Sequence, residues 1–178
     1  MNPDIEYILL TREQVTAKVS ELAAAITQDY QGKTPVLIGV LKGSFIFLAD
    51  LVRHIDLPCE IDFLAVSSYG KKSETSGAVR ILKDLDDHIE GRDVIVVEDI
   101  LDSGVTLSYI MNVMKNSRPA SLSICTLLDK PERRQAPVQA RYVGFQTPDE
   151  FLVGYGLDYA GMYRCLPYIG VLKREIYE

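Results

Sequence analysis

Residues 94–107 read VIVVEDILDSGVTL, and their types and order suit one kind of chemistry. Glu98 and Asp99 are adjacent carboxylates, fit for hydroxyl groups and for a hard cation such as Mg²⁺. Asp102, Ser103, Gly104 and Thr106 follow in a small-residue turn that opens onto a helical pattern. The backbone N–H groups of such a turn, with the start of the helix, suit an anionic phosphate. A ligand with a phosphate at one end, a diol beside it and a metal nearby is a phosphorylated ribose. Taken alone, an acid pair is more simply a solvated strand end, with Asp102 capping the helix. The conjunction of apolar run, acid pair and glycine loop argues for the ligand. Asp102 is then expected both to cap the helix and to act in catalysis.

The elements that must position these groups follow from pattern. Val94 to Val97 is a buried-strand run that ends at the acid pair, and in open parallel α/β sheets ligands sit beyond strand carboxyl ends. Thr11 and Gln14 read as a capping box. The stripe Val15, Val19, Leu22 and Ile26 then predicts a helix of about five turns ending near Gly32. Val36 to Val40 predicts a short buried strand, Gly43 to His54 a helix with a wide apolar face, and Cys59 to Ser67 another strand. Val79 to Leu82 is a further short strand. Thr106 to Met114 begins a helix and Leu122 to Leu128 is an apolar strand. Tyr142 to Phe145 and Phe151 to Tyr155 are short β segments, and the rest of the last third is loop-rich, ending in Tyr168 to Leu172. Strands alternating with helices predict an α/β fold with a mostly parallel central sheet flanked by helices. Residues 1–178 read as a single domain. The N-terminal segment and the region after about residue 142 are expected to form a small hood over the ligand edge.

Other residues carry weaker signals. Leu41-Lys42-Gly43-Ser44 repeats the strand–loop–helix logic and could hold a second phosphate; the plainer reading is a surface lysine. It lacks the glycines of a Walker loop. Ser68 and Tyr69 begin the polar stretch SYGKKSETSGA, which could close over a ligand or simply be surface loop. Lys130 lies just past a strand end. An ammonium donates hydrogen bonds and accepts none, so it would favour a ligand carbonyl over an amino group. Phe151 could stack on a flat heteroaromatic ring, and Asp158 could ligate a second metal. Arg164 could pair with a phosphate oxygen. For each of these three, ordinary packing or surface exposure is the alternative. His54 and His88 have no partner spacing for a metal site or a triad.

Composition bounds the reading. The chain is 47% hydrophobic and 25% charged, so it can bury a sizeable core. No apolar run is long enough for a membrane span, and the start lacks the order of a signal peptide. Cys59, Cys125 and Cys165 are odd in number and far apart, which predicts reduced thiols in a cytoplasmic protein. The net charge of −6 argues against nucleic acid as the main partner, though a local site and a metal can still take an anionic substrate.

The central motif resembles the 5-phosphoribosyl-1-pyrophosphate (PRPP) signature of type I phosphoribosyltransferases. With LKGS, SSYG, LLDKP and FLVGYGLDYAGMYR in the right order, the chain is similar from about residue 8 to 174 to the 6-oxopurine phosphoribosyltransferases of the bacterial hypoxanthine-guanine type. The resemblance implies transfer of phosphoribosyl from PRPP to N9 of hypoxanthine or guanine, with Mg²⁺ as cofactor and a homodimer or homotetramer as the assembly. It implies that Glu98 and Asp99 hold the ribose hydroxyls and organise Mg²⁺, and that Asp102 is the acid near purine N7. Ser103, Gly104, Val105 and Thr106 would surround the 5′-phosphate. Lys42 and Gly43 would form the pyrophosphate loop, with a non-proline cis peptide before the lysine. Ser68 and Tyr69 would belong to the lid. Lys130 would contact the 6-oxo group, Phe151 would stack on the base, and the Leu152 main chain would read its edge. Asp158 would be the second-metal acid and Arg164 the arginine at the pyrophosphate. Val105 replaces a lysine of some relatives, and Leu152 replaces a commoner valine or isoleucine. Two other functions fit the same fold: a regulatory protein that binds PRPP or nucleotide, and a xanthine-preferring enzyme.

Overall fold

A computed structural model describes residues 2–68 and 79–178, the Ser68 side chain excepted. The lid residues expected at Tyr69 and the Ser68 side chain lie outside the described residues. Within them a six-stranded sheet has the order β4-β3-β2-β5-β6-β7, and a separate three-stranded sheet has the order β1-β9-β8. The main strands are β2 (Val36–Leu41), β3 (Glu60–Ser68), β4 (Val79–Lys83), β5 (Asp93–Leu101), β6 (Ser121–Asp129) and β7 (Tyr142–Gln146). All neighbours in this sheet are parallel except β3 and β4, which are antiparallel. This is the expected α/β architecture.

Strand alternation builds two cores from one strand. Ile95 and Val97 face α1 (Arg12–Asp29) and α2 (Phe45–His54), in a cluster with Val19, Ile26, Phe47 and Leu51. Val94 and Val96 face α3 (Val105–Asn116), beside Leu107, Ile110 and Met114. Burial on both faces explains the unbroken apolar run, as in other parallel sheets. At full burial each such side chain contributes about 1.5–3 kcal/mol. The capping box of α1 forms as expected: Gln14 N–H donates to Thr11 Oγ1 at 3.3 Å, and Thr11 N–H donates to Gln14 Oε1 at 2.8 Å. Among the described residues no helix is long and apolar enough to cross a membrane. The three cysteines are free thiols.

Several boundaries differ from expectation. β5 does not stop at Val97. It loses its pairing with β2 after Val97 but continues along β6 to the Leu101–Asp129 pair. Glu98 and Asp99 therefore lie within a strand, where β5 and β2 part. β2 pairs with β3 on one side and β5 on the other, so the parting marks the sheet's topological switch point. β1 (Ile5–Leu10), β8 (Leu152–Val153) and β9 (Ile169–Leu172) make the small antiparallel sheet. β1 was not expected as a strand, because its partner β9 is far along the sequence. β7 belongs to the main sheet beside β6 and not to the hood. The β8 segment stops at Val153 because Gly154, Tyr155 and Gly156 all have positive φ, of 100°, 51° and 103°. The chain ends in a single turn of helix, α4 (Arg174–Tyr177).

Candidate active site

The turns after β2 and β5 leave neighbouring parallel strands at the same end of the sheet. After β5, Asp102 and Ser103 lead to Gly104, which is the residue before α3 and sits at φ 78°. Left-handed backbone there favours glycine. A Cβ on Gly104 would also press on Val138 Cγ1 at 2.5 Å and Arg134 Cδ at 3.0 Å. Asp102 does not cap α3: the cap is Gly104, and the side chain that meets the helix start is Ser103, whose Oγ accepts from Val105 N–H at 3.4 Å. Instead Asp102 Oδ1 is buried without a hydrogen-bond partner among the described residues. Its Oδ2 lies 3.7 Å from Arg133 Nη1. An orphaned buried carboxylate oxygen needs a donor, and a ligand N–H would supply one.

After β2 the Leu41–Lys42 peptide is cis. Gly43 follows, packed so closely on the acid pair that a Cβ would overlap the Asp99 carboxylate. A Cβ on Gly156 would in turn overlap the Gly43 carbonyl oxygen. The β2–α2 turn thus meets the Asp99 side chain of β5 on one side and the backbone of the 154–157 turn on the other. Arg164 joins them: its Nη1 donates to Gly156 O at 2.6 Å, and its Nη2 pairs with Asp158 Oδ1 at 2.7 Å. Asp158 Oδ2 also accepts from Gly161 N–H at 2.7 Å.

The acid pair is electrostatically unsatisfied. Burial and the neighbouring Asp99 carboxylate raise Glu98 well above the usual carboxylate range. Burial raises Asp99 too, against the pull of the Arg164 charge. A site that penalises its own negative charge in this way favours a cation. No group of three or more His, Cys, Asp or Glu gathers to hold a metal among the described residues. Two carboxylates suit Mg²⁺, which keeps waters and takes oxygens from a substrate phosphate.

A cleft of about 1050 Å³ brings Asp102, Lys130, Phe151, Leu152 and Asp158 together. Lys130 is buried, and Nζ donates to Glu150 O at 2.6 Å. Burial lowers its pKa below the usual lysine range, partly opposed by Asp102. Phe151 is held edge-on by Tyr159, with centroids 5.4 Å apart, and stacks on Tyr177 at 4.7 Å. Leu152 is buried under it in β8. Lys42, Gly43, Glu98, Asp99, Arg164 and the 103–106 segment do not line this cleft. Gly43, Asp99 and Arg164 belong to the group of contacts just described. Sequence reasoning missed most of the other lining residues, among them Ile100, Tyr7, Glu150, Arg133 and Tyr177. Ile100 was passed over because the strand was ended early. Tyr7 bonds Glu150 across 2.5 Å from β1. No local pattern marked Tyr7 or Tyr177, since what places them is the closure of the hood.

A family model described as phosphoribosyl transferase domain matches residues 8–160. The hypoxanthine-guanine phosphoribosyltransferase of Bacillus subtilis is 53% identical over 178 residues, covering 100% of this chain and 99% of that protein. A Streptococcus agalactiae protein of the same name is 53% identical over 174 residues, covering 98% and 97%. Among solved structures, a Staphylococcus aureus hypoxanthine phosphoribosyltransferase superposes with a TM-score of 0.95 at 51% identity, covering 98% of this chain and 95% of that one. With a family model over residues 8–160 and relatives 53% identical along its length, the chain belongs to the phosphoribosyltransferase family.

Proposed function

We propose that this protein is a purine salvage enzyme that transfers phosphoribosyl from PRPP to N9 of hypoxanthine or guanine. The observation that carries this reading is the cleft in which the orphaned Asp102 oxygen, the buried Lys130 and the Phe151 ring converge. The three groups suit three features of a 6-oxopurine. Asp102 takes up the proton lost from the base, an effect of typically 10²–10⁴-fold. Lys130 donates to the 6-oxo oxygen and repels a 6-amino group, which is itself a donor. Phe151 stacks on the ring, and the Leu152 main chain meets its edge.

The sugar pyrophosphate is read by the adjoining group. The backbone of Ser103, Gly104 and Val105, with the Thr106 hydroxyl, receives the 5′-phosphate at the start of α3. Glu98 and Asp99 hold the ribose hydroxyls and tolerate positive charge growing on the ring. Lys42, the Gly43 backbone and Arg164 receive the pyrophosphate, where negative charge develops as the bond breaks. Mg²⁺ would be held by Glu98 and Asp99, with Asp158 as a second-metal acid, and would neutralise leaving-group charge. Ser68 and Tyr69 belong to the lid that excludes water. A homodimer or homotetramer and a cytoplasmic setting complete the reading.

The test offers hypoxanthine, guanine, xanthine and adenine in parallel, with PRPP and Mg²⁺. Rapid nucleotide formation with hypoxanthine and guanine and none with adenine is expected. Asp102→Asn should lower kcat about a hundredfold. Turnover of xanthine above both would move the preference. Binding of PRPP without turnover of any base would favour a regulatory protein.

A further inference from the structure

The 130–136 segment carries two consecutive arginines of different kinds. Arg133 is exposed and pairs with Asp149 at 2.6 Å on the cleft rim. Arg134 is largely buried and spends its guanidinium on the backbone. Nε donates to Asp102 O at 3.1 Å, Nη1 to Val138 O at 2.7 Å and Nη2 to Leu101 O at 3.5 Å. Nη2 also pairs with the Asp129 carboxylate at the end of β6. The next residues continue the pattern. Gln135 N–H and Ala136 N–H donate to Ser103 O at 2.8 and 3.2 Å, and Lys130 N–H donates to Leu101 O at 2.9 Å. The carbonyls of Leu101, Asp102 and Ser103 are therefore all held from one side by this segment.

A trans peptide is planar, with N–H and C=O pointing in opposite directions. Holding the Asp102 and Ser103 carbonyls toward Arg134 and Gln135 turns the Ser103 and Gly104 N–H groups the other way. Neither N–H has an acceptor among the described residues. Adjacent N–H groups left free and aimed together make a concavity for an anion. We propose that Arg134 is the positioning residue of the 5′-phosphate turn, fixing its backbone donors before the ligand arrives. Its planar fork of donors is what the task needs, and lysine offers only a point charge. The proposal rests on the reading of the 103–106 turn as the 5′-phosphate site.

The test measures Kd for guanosine 5′-monophosphate and for pyrophosphate with Mg²⁺, together with Tm, in the full chain and three variants. Arg134→Lys is expected to weaken monophosphate binding about tenfold or more while pyrophosphate binding holds. Asp129→Asn removes the anionic partner of the guanidinium and should weaken the monophosphate in the same direction by less. It decides alone if Arg134→Lys does not fold. Thr106→Ala tests the underlying reading. If it weakens the monophosphate while Arg134→Lys and Asp129→Asn bind as the parent does, the positioning role is overturned and the phosphate site stands. If Thr106→Ala also binds as the parent does, the phosphate site lies elsewhere and both fail. Equal losses for monophosphate and pyrophosphate would mean general damage and would also overturn the proposal.

Discussion

The turn after β2 and the turn after β5 leave adjacent strands at the same end of the sheet, and each leads from a strand toward a helix. They are held in different ways. The β2–α2 turn is interlocked: Gly43 lies against the Asp99 carboxylate, and its own carbonyl is covered by Gly156. The β5–α3 turn is tethered: Arg134 and the following N–H groups grip its carbonyls one after another. An interlock depends on atoms being absent, so it fails abruptly when one is added. A tether depends on several hydrogen bonds, each contributing about 0.5–1.5 kcal/mol, so it weakens by degrees.

Alanine at the two glycines puts the comparison to a direct test. Gly43→Ala should cause the largest loss, about a hundredfold or more in kcat/KM for PRPP, since an overlap with Asp99 shifts the acid pair itself. Gly104→Ala should cost less. The left-handed backbone adds roughly 1–2 kcal/mol, and Val138 and the Arg134 stem are side chains that can yield. Steady-state kinetics on both variants would check the order; equal losses would erase the distinction.

Between the turns stands Glu98, whose raised folded-state pKa gives a prediction of opposite sign. A carboxyl raised above its unfolded value of about 4.3 adds stability that is full below that pH. That stability is lost as pH rises toward the folded value, so burying this carboxyl beside Asp99 costs the ligand-free protein stability above its unfolded pKa. Glu98→Gln should raise the ligand-free Tm at pH 7, by about 2–4 °C per kcal/mol recovered, while lowering activity. A calorimetric scan showing a lower Tm would refute this. The smallest effect belongs to the base cleft. Lys130 must stay protonated to donate, and burial lowers its pKa. KM for hypoxanthine should therefore rise with pH below the ordinary lysine value of about 10.4, with KM for PRPP unchanged.

The same contrast explains what the sequence reveals. Val94 to Val97, the Thr11–Gln14 box and the LKGS turn are local patterns, and each forms where expected. The end of β5 is not local. Acids usually mark a strand terminus, but here β6 continues beside them and supplies the ladder. Asp102 looks like a cap because the sequence cannot tell that Gly104 holds that post. Arg134 is visible only as one of a basic pair in a turn. Its partners are carbonyls from separate segments, and no side-chain type announces a carbonyl. Tyr7 and Tyr177 reach the cleft only through the hood.

The hood joins the two ends of the described chain, with β1 beside β9 and Asn2 N–H donating to Tyr168 Oη 166 positions away. Closing so long a loop is entropically unfavourable and gains nothing until the strands meet. Pairings of this kind form late in folding and are the first to open in the native state. The hood amides should then exchange with solvent sooner than those of β5. Phe151 and Leu152 are tied to this small sheet, while Asp102 and the turn at 103–104 follow β5 of the main sheet. On the proposed function, entry and exit of the base would then be coupled to a partial opening that leaves the turn before α3 in place.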